Sequence, residues 1–209
     1  LSMPENLHKL FVISSPSGGG KTSLINKLFE DSRSTNFEKS ISDTSRKKRQ
    51  GDLEGKDYYF LSEKDFKDKI KKEEYVEYAT VFGNFYGTSK EEIKTKYNNS
   101  NLILELDWQG AYAVKELFDD AKLIFLLPPS LDDLKQRLIK RNLDSSEAIE
   151  NRLSEAKKEI SKSEMYDYLV LNDDFDKAFE DLSQILFEGI SPVDFNSRAS
   201  KDLIKRLVE

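Results

Sequence analysis

The chain has 209 residues, of which 34% are charged and 37% are hydrophobic, and its formal net charge is −6. This size and this balance of residues favour a soluble globular protein with one substantial core. The sequence contains no run of the roughly 20 apolar residues that a membrane-spanning helix needs. The acidic charge disfavours general nucleic-acid binding, and a single histidine with no cysteine argues against histidine triads, disulfides and thiolate metal sites.

The first predicted strand, Leu10–Ser14, leads into a glycine loop and then into a helix predicted over Thr22–Asp31. The loop consists of Ser15, Pro16, Ser17, Gly18, Gly19, Gly20, Lys21 and Thr22. Strand, glycine loop and helix in this order are typical of a phosphate-binding P-loop. Its backbone N–H groups and the helix N-terminus can surround an anion, while Lys21 reaches a terminal phosphate and Thr22 binds magnesium. The alternative is a plain glycine turn before a surface helix.

A basic cluster, Arg46–Arg49, follows in a turn-rich segment that continues to Tyr58. Arginine can grip a phosphate with two parallel hydrogen bonds, which lysine cannot do. The cluster is therefore a candidate phosphate site. Taken alone, however, a solvated charged loop is the more frequent explanation of such a run.

Three further apolar runs are predicted to be buried strands separated by helices. They are Asn101–Asp107, Lys122–Leu127 and Tyr168–Leu171. Near-continuous apolar strands between helices predict an α/β fold with a parallel sheet. Ligands of such sheets bind beyond the carboxyl ends of the strands, where the P-loop, Glu105, Asp107 and Asn172 would gather.

Two segments interrupt this alternation. Residues 36–97 combine short strands, aromatic side chains and turns, which predicts a small β-rich subdomain containing a capping box at Ser89 and Glu92. Residues 130–163 predict a pair of helices. The tail, residues 189–209, is expected to be helical and to dock on the core or on a partner. Its apolar side chains fall on one helical face: Leu203, Ile204, Leu207 and Val208.

Five motifs, in order and in approximate spacing, resemble those of guanylate kinases. They are the P-loop, Ser40–Arg49, Gly55–Phe60, Phe82–Thr88 and Glu105–Gly110. The resemblance implies a single domain over residues 9–188, in which a three-layer P-loop core with a parallel sheet carries a GMP-binding subdomain and a helical lid. The implied core is 9–35, 98–129 and 164–188, the subdomain is 36–97 and the lid is 130–163.

The resemblance also implies an activity: magnesium-dependent transfer of a phosphoryl group from ATP to GMP, and to dGMP as well. ATP would bind the P-loop and Asn172. The residues matching the GMP site are Ser42, Arg46, Arg49, Tyr58, Glu77, Tyr86, Thr88 and Asp107. The residues that would act on the transferring group are Lys21, Arg46, Arg141 and Arg152. Thr22 and Glu105 would hold magnesium, partly through water.

Guanine recognition by Glu77 has a chemical reason of its own. Guanine presents two donors on one edge, which a single carboxylate accepts together, whereas adenine lacks the donor at N1. Ser42 can donate to the guanine O6 atom. The alternatives are that Glu77 is an exposed acid on a half-buried strand and that Tyr58 and Tyr86 are core aromatics.

Three positions depart from the family pattern: Ser15 replaces the first glycine of the P-loop, Lys48 replaces a proline, and Glu105 stands where aspartate is frequent. The lid arginines, Arg141 and Arg152, lie on charged helices, for which a solvated face is the default interpretation.

Two rival functions stay open. One is a guanylate-kinase-like binding module, against which the intact Lys21 and Thr22 argue. The other is a kinase for another nucleotide or a phosphorylated sugar, against which Glu77 and Ser42 argue. We expect GMP and ATP as ligands, no nucleic-acid or membrane partner, and a monomer or homodimer. Because the first residues lack a basic segment followed by an apolar one, we expect a cytoplasmic location.

Overall fold

A computed structural model describes residues 8–81, 83–140 and 146–209. The strands are β1 Leu10–Ser14, β2 Phe37–Lys39, β3 Asp43–Thr44, β4 Tyr59–Phe60, β5 Tyr75–Val81, β6 Asn84–Ser89, β7 Asn101–Glu105, β8 Lys122–Leu127 and β9 Tyr168–Leu171. The helices are α1 Lys21–Glu30, α2 Glu63–Lys71, α3 Lys90–Tyr97, α4 Trp108–Leu117, α5 Leu131–Lys140, α6 Ser146–Ser161, α7 Phe175–Ser183 and α8 Lys201–Val208. Within the described ranges, no helix is long and apolar enough to cross a membrane.

The chain forms two compact units, and the boundary between them falls inside β1. The first unit comprises the residues up to Phe11, then Phe37–Leu104 and Gln109–Ala121. The second comprises Val12–Asn36, Glu105–Trp108 and Lys122–Glu209. The division into core, GMP-binding subdomain and lid stays a prediction.

The first unit contains a small sheet with the strand order β4-β3-β6-β5. Strand β6 pairs antiparallel with β3 and with β5, and β3 pairs parallel with β4. The fully buried ring of Phe66 from α2 stacks on Tyr75 and Phe85 at centroid distances of 4.5 and 5.3 Å. Burial of these rings supplies the hydrophobic stabilisation that joins α2 to the sheet. A second, small β-sheet is therefore present in the segment that the sequence predicts to be β-rich.

A buried ion pair also belongs to this unit. The Asp43 carboxylate accepts hydrogen bonds from the Lys69 Nζ atom at 2.5 Å and from the Tyr75 hydroxyl at 2.8 Å. Burial, followed by the hydrogen bond to Asp43, raises the pKa of the Tyr75 phenol. Two donors on one carboxylate compensate the cost of removing its charge from water.

The predicted capping box at the start of α3 forms only in part. The Ser89 hydroxyl accepts a hydrogen bond from the Glu92 backbone N–H at 3.1 Å. The Glu92 carboxylate, however, accepts from the Ile41 backbone N–H at 2.9 Å and from the Lys96 ammonium at 2.8 Å. It therefore ties α3 to the segment before β3 instead of completing the box.

Strand β1 of the larger sheet contributes residues to both units. In the first unit the order is β2-β7-β1, with β2 and β7 parallel, and in the second it is β1-β8-β9, with β8 and β9 parallel. Helix α1 buries Leu24, Ile25 and Leu28 and packs against α7 in the second unit. The parallel sheet with its helices, together with the separate small sheet, confirms the predicted α/β fold.

The tail belongs to the second unit. Its helix, α8, packs against α6 and buries Leu207, while Leu203, Ile204 and Val208 are half-buried. The Ser200 hydroxyl caps α8 by accepting a hydrogen bond from the Leu203 backbone N–H at 3.1 Å. Of the two docking alternatives, the structure therefore shows docking on the chain's own core.

Candidate functional site

The glycine loop lies between β1 and α1, as the sequence predicts. Gly18 and Gly20 adopt the left-handed backbone conformation, with φ of 86° and 90°. Gly20 is the N-cap of α1, and in the described structure no side chain caps this helix and no acidic residue occupies its first turn. Uncapped N–H groups and the helix dipole make such a terminus attractive to an anion.

The loop is packed too closely to accept larger residues. A Cβ atom on Gly20 would lie 2.5 Å from the Nδ2 atom of Asn172, and one on Gly19 would lie 2.9 Å from the Pro16 carbonyl oxygen. A Cβ atom on Gly18 would approach Leu134 and Leu138 of α5 to 3.2 Å. The glycines are therefore required by conformation and by space.

Ser15 fits its place without a glycine. Among the described non-glycine residues, a positive φ is found at Glu73, so Ser15 is not strained in the left-handed region. Its hydroxyl donates to the Pro16 carbonyl oxygen at 3.2 Å. The loop therefore turns at Gly18 and Gly20, and the departure from the family pattern is accommodated.

Asn172, which follows β9, holds the glycine loop in position. Its Nδ2 atom donates to the Gly19 carbonyl oxygen at 2.7 Å, and its backbone N–H donates to the Leu127 carbonyl oxygen at 2.8 Å. Its own carbonyl oxygen accepts from the Arg137 guanidinium at 3.1 Å. Arg137 could not be singled out from the sequence, because it is one of several cations on a charged helix.

Glu159 of α6 interacts electrostatically with Lys21, the half-buried first residue of α1, and with Asp107, which follows β7. Burial first and the negative charge of Asp107 second raise the pKa of Glu159 to about 7, while Lys21 opposes the shift. In the part of the chain that is described, Oε2 of Glu159 has no hydrogen-bond partner. Sequence reasoning missed Glu159, since its spacing matches an ordinary solvated helix face.

Arg46, Tyr58 and Tyr86 come together in the first unit. The Tyr58 and Tyr86 rings meet edge to face at 5.7 Å, and the Arg46 guanidinium lies 5.4 Å from the centre of the Tyr58 ring. Nη1 of Arg46 donates to Oδ2 of Asp52 at 2.8 Å, and this hydrogen bond raises the pKa of the guanidinium while burial opposes it. The cluster presents a cation and two phenols, which are suitable groups for an anionic phosphate.

The basic loop is ordered by Asp52, which the sequence analysis did not identify. Oδ2 of Asp52 accepts hydrogen bonds from the Arg46 guanidinium and, at 2.7 Å, from the Arg49 backbone N–H. One carboxylate therefore joins both arginines of the motif, and it supports the loop where Lys48 replaces the usual proline. The Arg49 side chain itself is exposed.

Glu77 and Thr88 face each other across β5 and β6. They are register partners, and the Thr88 hydroxyl donates to Oε1 of Glu77 at 2.7 Å. Thr88 is buried and Glu77 is half-buried. A fixed hydroxyl therefore orients the carboxylate, so Glu77 is more than an exposed acid on a strand. Ser42, half-buried just before β3, accepts from the Tyr59 backbone N–H through its carbonyl oxygen at 3.0 Å.

The remaining predicted residues are placed as follows. Thr22 is exposed in the first turn of α1, Glu105 ends β7, and Asp107 is exposed two residues later. Arg152 is half-buried on α6. Arg141 and the motif residue Phe82 lie outside the described residues. The role of Asp107 in a GMP site stays a prediction, because the structure places it with Lys21 and Glu159 in the second unit.

Comparison with known proteins finds one family repeatedly. The family model described as guanylate kinase matches residues 7–189. The guanylate kinase of Wolbachia sp. subsp. Brugia malayi (strain TRS) is 47% identical over 184 residues, which cover 87% of this chain and 93% of that protein. The guanylate kinase of Hahella chejuensis is 47% identical over 178 residues, 85% of each chain. The crystal structure of guanylate kinase from Anaplasma phagocytophilum aligns with a TM-score of 0.67 and 35% identity, covering 90% of this chain and 89% of that one.

We predict that Glu159 makes stability depend on pH. Because its pKa is raised from 4.5 to about 7, the folded state binds more protons than the unfolded state between these values. The contribution of Glu159 to the free energy of unfolding should therefore decrease as the pH rises through this window. Urea denaturation from pH 5 to pH 8 should show a steeper decrease for the wild type than for Glu159→Gln.

The matched control is Glu150→Gln, earlier on α6, where the side chain is 66% exposed and pairs with Lys135. This variant should keep the wild-type slope. Parallel slopes for the wild type and Glu159→Gln would contradict the prediction.

Proposed function

The chain belongs to the guanylate kinase family, and on this premise we propose that it transfers the terminal phosphoryl group of ATP to GMP, giving ADP and GDP. The observation that carries the proposal is the Glu77 carboxylate, which Thr88 orients in the same small sheet that carries Arg46, Tyr58 and Tyr86. A site for a guanine nucleotide needs a carboxylate for the base and cations for the phosphate. The glycine loop in the other unit supplies the second requirement of a kinase, an ATP phosphate cradle.

On the ATP side, each proposed role follows from local geometry. Backbone N–H groups of the glycine loop would surround the phosphate chain, except at Pro16, which has none, and at Gly19, whose N–H donates to the Pro16 carbonyl oxygen at 2.8 Å. Lys21 would place its charge on the terminal phosphate. Asn172 would serve the site by fixing the loop at Gly19, next to bound ATP. Positioning and charge stabilisation are the main requirements of phosphoryl transfer, so this preordered cradle accounts for much of the chemistry.

On the GMP side, we assign the phosphate to Arg46, Arg49, Tyr58 and Tyr86, and the guanine base to Ser42, Glu77 and Thr88. Asp52 accepts a hydrogen bond from Arg46, and a side chain that is restrained in this way loses less entropy when it binds a ligand. Asp107 would help to order this site. No strong base is required, because the attacking phosphate oxygen of GMP is already anionic.

Magnesium fits the donors near the glycine loop. Thr22 and Glu105 offer oxygen ligands, which magnesium prefers, and Glu105 would act partly through water. Over the described ranges, no group of three acidic, histidine or cysteine side chains could enclose a metal ion. The nucleotide phosphates would therefore supply further ligands. Bound magnesium would neutralise phosphate charge, and Lys21, Arg46, Arg141 and Arg152 would stabilise the charge that develops during transfer.

The proposal extends to dGMP, since the assigned residues address the base and the phosphate and not the 2′ position of the sugar. We also propose a cytoplasmic enzyme that acts as a monomer or homodimer without nucleic-acid or membrane partners. The net charge of −6 supports the expectation that nucleic acid is not a partner.

A nucleotide panel tests the activity directly. Purified protein with ATP and magnesium should release ADP rapidly with GMP, and about 10⁴-fold less efficiently with AMP, because adenine leaves the Glu77 carboxylate incompletely paired. CMP and UMP should also be poor acceptors. Comparable turnover with AMP would contradict guanine recognition, and no turnover with GMP would favour the binding-module alternative.

We expect Lys21→Ala to lower kcat by about a hundredfold or more, because a charge aimed at the transferring group is lost. Lys27→Ala is the matched control, since Lys27 lies on the same helix with a 49% exposed side chain. It should retain wild-type kcat. Both variants should unfold at wild-type urea concentrations, and near-full activity of Lys21→Ala would exclude the proposed role.

We expect Glu77→Ala to raise the KM for GMP by about 10- to 100-fold, the factor that corresponds to losing hydrogen bonds to a charged group. The KM for ATP should change far less. Glu74→Ala, in the same unit and with a 43% exposed side chain, should leave both constants unchanged. An equal rise of both KM values in Glu77→Ala would remove Glu77 from guanine recognition.

A further inference from the structure

The C-terminal tail runs beside β9, the edge strand of the second unit, and extends beyond the residues that the family model matches. The Tyr168 hydroxyl donates to the Ile190 carbonyl oxygen at 2.7 Å. The Ser197 hydroxyl donates to the Leu169 carbonyl oxygen at 2.5 Å. The tail therefore covers the open side of the strand that leads to Asn172.

Arg198 of the tail reaches the end of that strand. Its Nη2 atom donates to the Leu171 carbonyl oxygen at 2.7 Å, and its Nη1 atom donates to Oδ1 of Asp173 at 2.6 Å. Nε and Nη2 also donate to Oδ2 of Asp181 in α7, at 3.2 and 3.1 Å. One guanidinium therefore connects β9, the following turn and α7 through charge-assisted hydrogen bonds.

These contacts enclose Asn172, since Leu171 and Asp173 are its two chain neighbours. The Asn172 side chain is the one that donates to the Gly19 carbonyl oxygen, and its Nδ2 atom would lie only 2.5 Å from a Cβ atom on Gly20. A small rotation of the Leu171–Asp173 backbone would therefore move the amide away from the glycine loop or into it. The position of the loop depends on the position of this turn.

We call the hydrogen bonds of Arg198 to Leu171, Asp173 and Asp181 the Arg198 clamp. The pKa shifts of the two carboxyl groups agree with a cation at this turn. Burial opposes ionisation of Asp173, yet the hydrogen bond from Arg198 holds the pKa of this carboxyl below its usual value. Asp181 has a side chain that is 15% exposed, and burial raises its pKa although Arg198 opposes the shift. Removal of the guanidinium would leave two carboxylates close to the turn without this shared cation.

We propose that Arg198 is a positioning residue of the ATP site, which acts by fixing Asn172 against the glycine loop. The inference rests on the proposed function, because it assumes that ATP binds to this loop. It assigns the tail a role in nucleotide affinity in addition to its packing against α6. Arg198 itself contacts no reacting group.

Two variants and one control test the inference. Arg198→Ala removes the clamp, Arg198→Lys keeps the charge without the planar fork, and Arg206→Ala alters an exposed arginine of the same tail that donates to the Asp202 carbonyl oxygen in its own helix. Calorimetry should show about tenfold weaker ATP binding for Arg198→Ala and an intermediate loss for Arg198→Lys. Arg206→Ala should bind ATP as the wild type does.

Steady-state kinetics separate positioning from general destabilisation. In Arg198→Ala the KM for ATP should rise about tenfold, while the KM for GMP stays within about twofold of the wild type. A lower unfolding temperature with an unchanged ATP affinity, or an equal rise of both KM values, would overturn the inference. If Arg198→Ala does not fold, the KM values for ATP and GMP are compared between Arg198→Lys and the wild type, and the same outcomes support or overturn the inference.

Hydrogen exchange of the nucleotide-free protein distinguishes failure of this inference from failure of the proposed function. The amides of residues 18–21 should exchange faster in Arg198→Ala than in Arg206→Ala, whether or not the protein phosphorylates GMP. Unchanged exchange would refute the clamp. If the wild type does not phosphorylate GMP but residues 18–21 still exchange faster in Arg198→Ala than in Arg206→Ala, only the proposed reaction is refuted.

Discussion

The glycine loop depends on a tight contact between the Asn172 amide and the backbone at Gly19 and Gly20. A hydrogen bond of 2.7 Å joins the amide to the Gly19 carbonyl oxygen, and a Cβ atom on Gly20 would lie 2.5 Å from the amide nitrogen. The left-handed conformation of Gly20 then sets the direction in which α1 begins. Because a helix N-terminus attracts anions, this packing contact fixes the position of the group that would attract a phosphate in the proposed ATP site.

Each unit restrains its candidate binding groups through hydrogen bonds within the chain. In the first unit, Asp52 holds Arg46 and the backbone of Arg49, and Thr88 holds Glu77. In the second unit, Asn172 holds the glycine loop. Side chains that are already restrained lose less entropy on binding, so more of the interaction energy is available for affinity and for catalysis.

Long, regular features could be predicted from the sequence. The strands Leu10–Ser14, Lys122–Leu127 and Tyr168–Leu171 were predicted with their observed bounds, because each is a continuous apolar run bounded by polar or turn-forming residues. The glycine loop could also be predicted, because its conformation, with a positive φ at Gly18 and Gly20, requires glycine and so leaves a recognisable pattern in the sequence. The pairing of the small sheet was not predictable, as β3 and β4 have only two residues each and depend on partners distant in the chain.

The supporting residues of the site escaped prediction for a related reason. Asp52, Glu159 and Arg198 are charged residues in charged surroundings, and nothing in their spacing separates them from solvated side chains. Their importance arises from contacts with residues far away in the sequence. Motif residues define the chemistry of the site, whereas its rigidity comes from groups that only the folded chain brings together.

The covering of β9 has a consequence for where the folded protein ends. Tail side chains occupy the Leu169 and Leu171 carbonyl oxygens, which would otherwise be open hydrogen-bond acceptors on an edge strand. A chain shortened to residues 7–189 would present this edge to solvent and invite strand addition between molecules. The segment that covers this edge lies outside the residues that the family model matches, so a boundary drawn from that match alone would remove it.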